Sequence, residues 1–203
     1  MKILSVEKYK GNTYEIVLEN NEHIYINEDI LFEYGFKADS ECDCKKLSEA
    51  MEADLRRKAK ERALYLLTYR DHSYSELFDK LKGTYGEEIA YDICDKMCEY
   101  GFVNDRKYAS RLAKSMWEQK CFGIKKIRYE LSRKGFTKEM AEEVLSEYYE
   151  LDAKEGIEKL IDKKYAKYLG DLKGRQKVIN ALARLGHSYS DIKEVIQKYT
   201  EDE

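Results

Sequence analysis

The chain has 203 residues, 43% apolar and 38% charged, with no proline and a net charge of −3. That length suits one large domain or two to four small ones, and the lack of proline suits long helices. The mild acidity argues against a general coat for DNA, and no stretch approaches the roughly 18 apolar residues of a membrane span.

The first residues, MKILSVEKYKGN, lack the apolar run and cleavage site of a secretory signal. Five cysteines in no disulfide-like framework suit a reducing compartment. The expectation is a cytoplasmic protein without membrane association. In chain order, Lys2 to Tyr9 alternates as a strand and Gly11-Asn12 turns. Tyr14 to Leu18 is β-rich, Asn20-Asn21 turns again, and His23 to Ile26 makes a third strand. Asn27 is placed to cap a short helix over Glu28 to Tyr34, with Gly35 at its end. Lys37 to Cys44 reads as a linker.

From Lys45 onward every segment reads as helix. Leu47 to Tyr69 is a long run of good helix formers. Ser73 and Glu76 then form a capping-box pattern ahead of a predicted helix over Ser75 to Lys82, with Leu77, Phe78 and Leu81 on one face and Gly83 and Gly86 as punctuation. The next predicted helix spaces Ile89, Ile93, Met97 and Tyr100 along one face, and Gly101 ends it. Cys94 and Cys98 fall on that face, so buried thiols are expected. Asn104 is the expected cap of the following helix, which turns Tyr108, Ala109, Leu112, Ala113 and Met116 inward. The helix beginning near Phe122 turns Ile124, Ile127 and Leu131 inward. Gly170-Asp171-Leu172-Lys173-Gly174 reads as a loop between helices.

A repeat underlies these helices. Shifted by 51 residues, Gly123 falls on Gly174, Ile127 on Val178, Leu131 on Leu182, Gly135 on Gly186, Thr137 on Ser188, Val144 on Val195 and Leu145 on Ile196. Leu77 and Leu81 match Ile127 and Leu131 once one residue is dropped. A period of 50 to 51 residues is the length of about three ordinary helices. The duplicated tetrapeptide HSYS, at 72–75 and 187–190, lies 115 residues apart and off this period. It is a helix cap used at two different places in the repeat. The expected fold is mainly α: tandem three-helix units behind a small β-rich segment. The divisions are a β-strand and short-helix segment at 1–44, a long helix plus first three-helix unit at 45–120, a second unit at 121–170, and a third, partial unit at 171–203.

Charge singles out one window. Residues 106–138 carry eleven Lys and Arg against two acids, or +9, whereas 1–48, 49–105 and 139–203 each sum to −4. Such a window favours a polyanion or an acidic protein surface; the competing reading is a solvated helix face. The candidates for contact are Arg111, Lys114, Lys125, Lys126, Arg128, Tyr129, Arg133 and Lys134. Tyr108, Trp117, Phe122 and Tyr129 interleave with the charges and could stack on bases, though Tyr108 belongs by spacing to the apolar stripe. Asn104-Asp105 fits a helix cap better than a catalytic or metal pair. Cys42-x-Cys44 has no second ligand pair at zinc spacing. No phosphate-binding Gly-rich loop, nucleophile elbow or paired acid–base constellation is present. The residues therefore point to no enzyme, no metal and no cofactor.

Three motifs resemble a known family. Arg62-Ala63-Leu64-x-x-Leu67-x-x-Arg70-x-x-Ser73-x-x-Glu76-Leu77, Gly101-Phe102-Val103-Asn104-Asp105-x-x-Tyr108-Ala109 and Gly123-x-x-x-Ile127-x-x-Glu130-Leu131-x-x-Lys134-Gly135 are similar, in order, to the RecX family of bacterial recombination regulators. The likeness covers residues 45–160 well, extends to the N-terminal strands, and is weaker in the third unit. Ile124 stands where the family often has proline, which should soften that helix start without changing the fold. The resemblance implies tandem three-helix units and a role without catalysis. That role is to bind the RecA recombinase filament along its groove and to restrain filament growth, ATP turnover and strand exchange, with DNA touched by some members. A monomer suffices for it. The alternatives are a helix-turn-helix-like module acting directly on DNA and a helical adaptor.

Overall fold

The structure is a computed structural model that describes residues 1–201. Its contacts divide it into two compact units, one of residues 1–70 and 78–99, the other of 71–77 and 100 onward.

The first unit opens with three antiparallel strands in the order β1 (Ile3–Lys10), β2 (Thr13–Leu18) and β3 (His23–Asn27). Alternation puts Ile16, Leu18, Ile24 and Ile26 on one face, all buried. Helix α1 (Glu28–Tyr34) follows, with the Asn27 side chain accepting from the Asp29 N–H and Gly35 ending it at φ 64°. Helix α2 (Cys44–Tyr69) adds Leu47 and Ala50 to the sheet's core. Farther along, α2 meets α4 (Glu87–Glu99): Arg56 donates to Asp92 at 2.8 Å and to Glu88 at 3.1 Å.

Helix α3 (Tyr74–Tyr85) runs straight through Gly83, so the predicted end at Lys82 falls short. The helix ends at Gly86, whose φ of +82° suits glycine. Cys94 is buried, and burial pushes its thiol up to about 12. Cys98 is exposed, which corrects the expected pair of buried thiols. Four residues advance a helix by somewhat more than one turn, and near the end of α4 that drift carries Cys98 off the apolar face.

The second unit holds α5 (Asp105–Glu118), α6 (Ile124–Arg133), α7 (Lys138–Leu145), α8 (Ala153–Leu160), α9 (Leu172–Arg184) and α10 (Tyr189–Glu201). One core joins Ala109, Ala113 and Met116 of α5 to Ile127 and Leu131 of α6 and to Ala141, Val144 and Leu145 of α7. A second joins Ile157 and Leu160 of α8 to Val178 and Leu182 of α9 and to Ile192, Val195 and Ile196 of α10. Fully burying each Leu or Ile contributes about 1.5–3 kcal/mol. Between α8 and α9 lie a π-helical turn, Ile161–Tyr165, and a 3₁₀ turn, Ala166–Tyr168. The predicted Gly170 to Gly174 loop is corrected in part. Asp171 caps α9 by accepting from the Gly174 N–H, so the helix starts at Leu172.

One joint is built twice in this unit. At the first, the start of α3 meets the α6–α7 turn: the Ser73 hydroxyl donates to the Lys134 carbonyl, and a Cβ on Gly135 would lie 2.3 Å from the Ser75 Cβ. At the second, the start of α6 meets the α9–α10 turn: the Gly123 N–H donates to the Leu185 carbonyl at 2.9 Å. A Cβ on Gly123 would lie 2.3 Å from the Gly186 carbonyl. Lys134 and Leu185 are 51 residues apart, as are Gly135 and Gly186, so the glycines of the repeat mark where backbones meet.

Candidate functional site

The charged face of α6 exists because its opposite face is buried. Ile127 and Leu131 are fully buried and Ile124 packs beside them, which turns Lys125, Arg128, Tyr129 and Arg133 outward. Gly123 is the N-cap and supplies no side-chain oxygen, so its role is close approach to Gly186.

The geometry sorts the predicted cations. Arg128 holds Glu142 by two hydrogen bonds, at 2.5 and 3.2 Å, and donates to the Tyr149 hydroxyl at 2.8 Å. The Arg128 hydrogen bond keeps the Glu142 carboxyl below its usual range. Lys134 is half-buried, 2.8 Å from Glu76 and 3.3 Å from the Tyr108 hydroxyl. Burial disfavours its charge, yet the bonds to Glu76 and Tyr108 outweigh that and raise its pKa. Lys126 pairs with Glu130 at 2.7 Å, and Arg133 reaches the same carboxylate at 3.4 Å. Both cations flank the exposed Tyr129 ring, at 5.0 and 5.9 Å. Arg111 pairs with Asp71, and Lys114 lies 3.9 Å from Glu118. Of the seven predicted cations, Lys125 alone has no acidic partner within 4.0 Å among the described residues.

The motif residues take structural posts. Arg70 is the C-cap of α2, and its N–H donates to the Leu66 carbonyl. Ser73 and Glu76 close the capping box: the Ser73 N–H donates to Glu76, and the Glu76 N–H to the Ser73 hydroxyl. Gly101 has φ +74°, and Asn104 caps α5 through the Lys107 N–H. Asp105 accepts from the Tyr74 N–H at 2.8 Å; burial raises its carboxyl pKa against the pull of that bond. Tyr108 packs edge-on to Phe136 with ring centres 5.8 Å apart, and Trp117 packs on Tyr148 at 5.4 Å, so both belong to the core.

A cluster of lysines escaped the sequence reading. A groove beside the α5–α6 connection is lined by Lys120, Phe122, Lys159, Lys163, Lys164 and Leu185, with the acids Glu118 and Asp162 among them. Lys159 pairs with Glu155 at 2.6 Å. Among the described residues, Lys120, Lys163 and Lys164 have no ion-pair partner. Lys163 and Lys164 ride on the π-helical turn, a feature that recurs at functional sites. In sequence their charges are masked by Glu155, Glu158 and Asp162. A neighbouring groove between α5 and α6 shares Lys120 and Phe122 and adds Ser115, Lys126 and Lys134. Among the described residues no group of three or more His, Cys, Asp or Glu is arranged to hold a metal, and no helix is long and apolar enough to cross a membrane.

A sheet followed by helices that repeat every 51 residues, with cation-lined grooves, defines a tandem three-helix-domain protein. Family models match three successive stretches of the chain. Residues 59–97 match "RecX, first three-helix domain", 104–145 "RecX, second three-helix domain" and 152–196 "RecX, third three-helix domain". The chain belongs to the RecX family of regulatory proteins. It is 29% identical over 201 residues to the regulatory protein RecX of Clostridium botulinum (strain Alaska E43 / Type E3), covering 96% of this chain and 93% of that one. It is also 29% identical over 201 residues to the regulatory protein RecX of Streptococcus gordonii, covering 97% and 76%. A crystal structure of regulatory protein RecX superposes with a TM-score of 0.69 at 26% identity, covering 97% of this chain and 98% of the other. RecX from Lactobacillus salivarius superposes with a TM-score of 0.64 at 29% identity, covering 72% and 97%.

Proposed function

We propose that this protein is a non-catalytic regulator of the RecA recombinase, acting in the cytoplasm as a monomer that binds the RecA filament and restrains its growth, ATP turnover and strand exchange. The observation that carries the reading is a group of lysines with no ion-pair partner among the described residues, Lys120, Lys163 and Lys164 around one groove and Lys125 on the outer face of α6, in a chain built of three RecX domains. Unpaired cations favour an acidic protein edge or a phosphate backbone, both of which a recombinase filament on DNA offers. Lys126, Tyr129 and Arg133 add an aromatic ring between two cations. Binding that favours one filament state over another shifts the population between them, so inhibition needs no chemistry.

The test is ATP turnover by RecA from the same bacterium, assembled on single-stranded DNA. Turnover is expected to fall at amounts of this protein well below one per recombinase monomer. Unchanged turnover alongside binding to naked DNA would transfer the assignment to a DNA-binding module. In that case Lys120, Lys125, Lys163 and Lys164 would together contribute up to about −3 to the slope of log K against log salt on single strands.

A further inference from the structure

The outer edge of β3 is open over two residues. Antiparallel pairing turns alternate residues of an edge strand away from their neighbour. The Glu22 carbonyl accepts from the Leu18 N–H, and the Glu28 N–H donates to the Asn12 carbonyl. Even-numbered residues therefore face β2, and odd-numbered ones face outward. The Asn27 N–H does so, donating to Asp54 Oδ1 on α2 at 3.0 Å. That carboxylate is buried and held by Arg57 and Lys58, and it closes the edge at this end alone. Among the described residues, none bonds the outward N–H or C=O of His23 or Tyr25.

A groove runs beside that edge, between β3 and α2. Its apolar walls are Tyr25, Met51 and Leu55, which are 41%, 43% and 37% exposed. Glu22, Glu52 and Lys58 also line it, Glu52 held by Arg56 at 2.8 Å and Lys58 by Asp54 at 2.6 Å. An open strand edge is a template for another strand, and a flanking groove takes that strand's alternate side chains.

We propose that this edge binds an extended segment of a partner protein as a fourth strand, a segment in which apolar residues alternate with Lys or Arg. The apolar residues would meet Met51 and Leu55. The basic ones, turned to the opposite face by strand alternation, would meet Glu15, which there accepts from Tyr25 at 2.6 Å and lies 2.9 Å from His23 Nδ1. Charge argues against a second copy of this chain as the occupant, because residues 1–48 sum to −4. The inference is independent of the recombinase reading.

The experiment uses the full chain, labelled with ¹⁵N, and an acetylated, amidated heptapeptide alternating Lys and Val. At saturation, amide exchange at His23 and Tyr25 is expected to slow at least tenfold. The same peptide with every amide N-methylated keeps the charge and apolar surface but cannot pair, and it is expected to leave exchange unchanged. Leu55→Glu is expected to weaken peptide binding at least tenfold with an unaltered melting curve. No binding at millimolar peptide, or equal binding of the methylated peptide, would overturn the proposal. Slow exchange at His23 and Tyr25 in a concentration-dependent dimer without peptide would also overturn it, in favour of a second copy.

Discussion

Gly123 has an ordinary φ of −74°, so its backbone would accept any residue. What excludes a side chain is the Gly186 carbonyl, 2.3 Å from where a Cβ would sit. Gly123→Ala is therefore expected to destabilise the protein by about 3 kcal/mol, the upper end for overpacking. For a chain of this size that lowers the calorimetric Tm by about 6–12 °C; a drop under 2 °C would mean the turn yields freely. His187 lies at the same joint, 5% exposed. Its Nε2 donates to the Cys121 carbonyl at 2.9 Å, which leaves Nδ1 unprotonated and, among the described residues, without a partner. Burial lowers its pKa below the usual 6.5. The unfolded chain then takes up its proton at higher pH than the folded one. His187's contribution is complete above about pH 6.5 and is lost as pH falls below that value toward the folded pKa. Urea midpoints measured from pH 7.5 to 5 are expected to fall on the acid side, and His187→Gln should flatten that fall.

At the scale of elements, what was legible is what is local. Strand alternation, the caps at Asn27, Ser73, Asn104, Thr137 and Ser188, and the inward stripe of α6 all depend on neighbours a few residues away. The repeat was legible too, as a spacing; a translation by 51 residues does not say where a unit begins. The joints were not legible, because their partners are distant in the chain. Asp105 reads as a first-turn acid, and only the fold brings it to the Tyr74 N–H, 31 residues away. Lys134 reads as one more surface cation, and the fold half-buries it against Glu76, 58 residues away. A double-mutant cycle of Lys134→Met and Glu76→Gln tests that link. With side chains 31% and 20% exposed, the coupling is expected near 1 kcal/mol, above a typical surface pair. Additive single effects would mean the two groups are neighbours without coupling.

Across the whole molecule, charge is where a linear reading and the fold diverge most. The +9 window is real as a sum, yet Arg111, Lys126, Arg128, Arg133 and Lys134 spend much of it on nearby carboxylates. Meanwhile Lys163 and Lys164, hidden in a stretch that sums to −4, have no ion-pair partner among the described residues and lie beside Lys120. A filament contact built on charge should follow the unpaired lysines rather than the densest stretch of sequence. Lys125→Glu and the double variant Lys163→Glu with Lys164→Glu break no ion pair, so each is expected to keep Tm within about 2 °C. Each should raise the amount needed for half-inhibition of recombinase ATP turnover at least fivefold, and more steeply at low salt, where unscreened charges act farthest. Arg128→Ala instead cuts the Glu142 and Tyr149 bonds. Because both charged partners are more than one-third exposed, it should cost no more than about 1 kcal/mol and leave inhibition within twofold. If Arg128→Ala abolishes inhibition while the lysine reversals do not, the contact lies on the paired face of α6 and the unpaired lysines are bystanders.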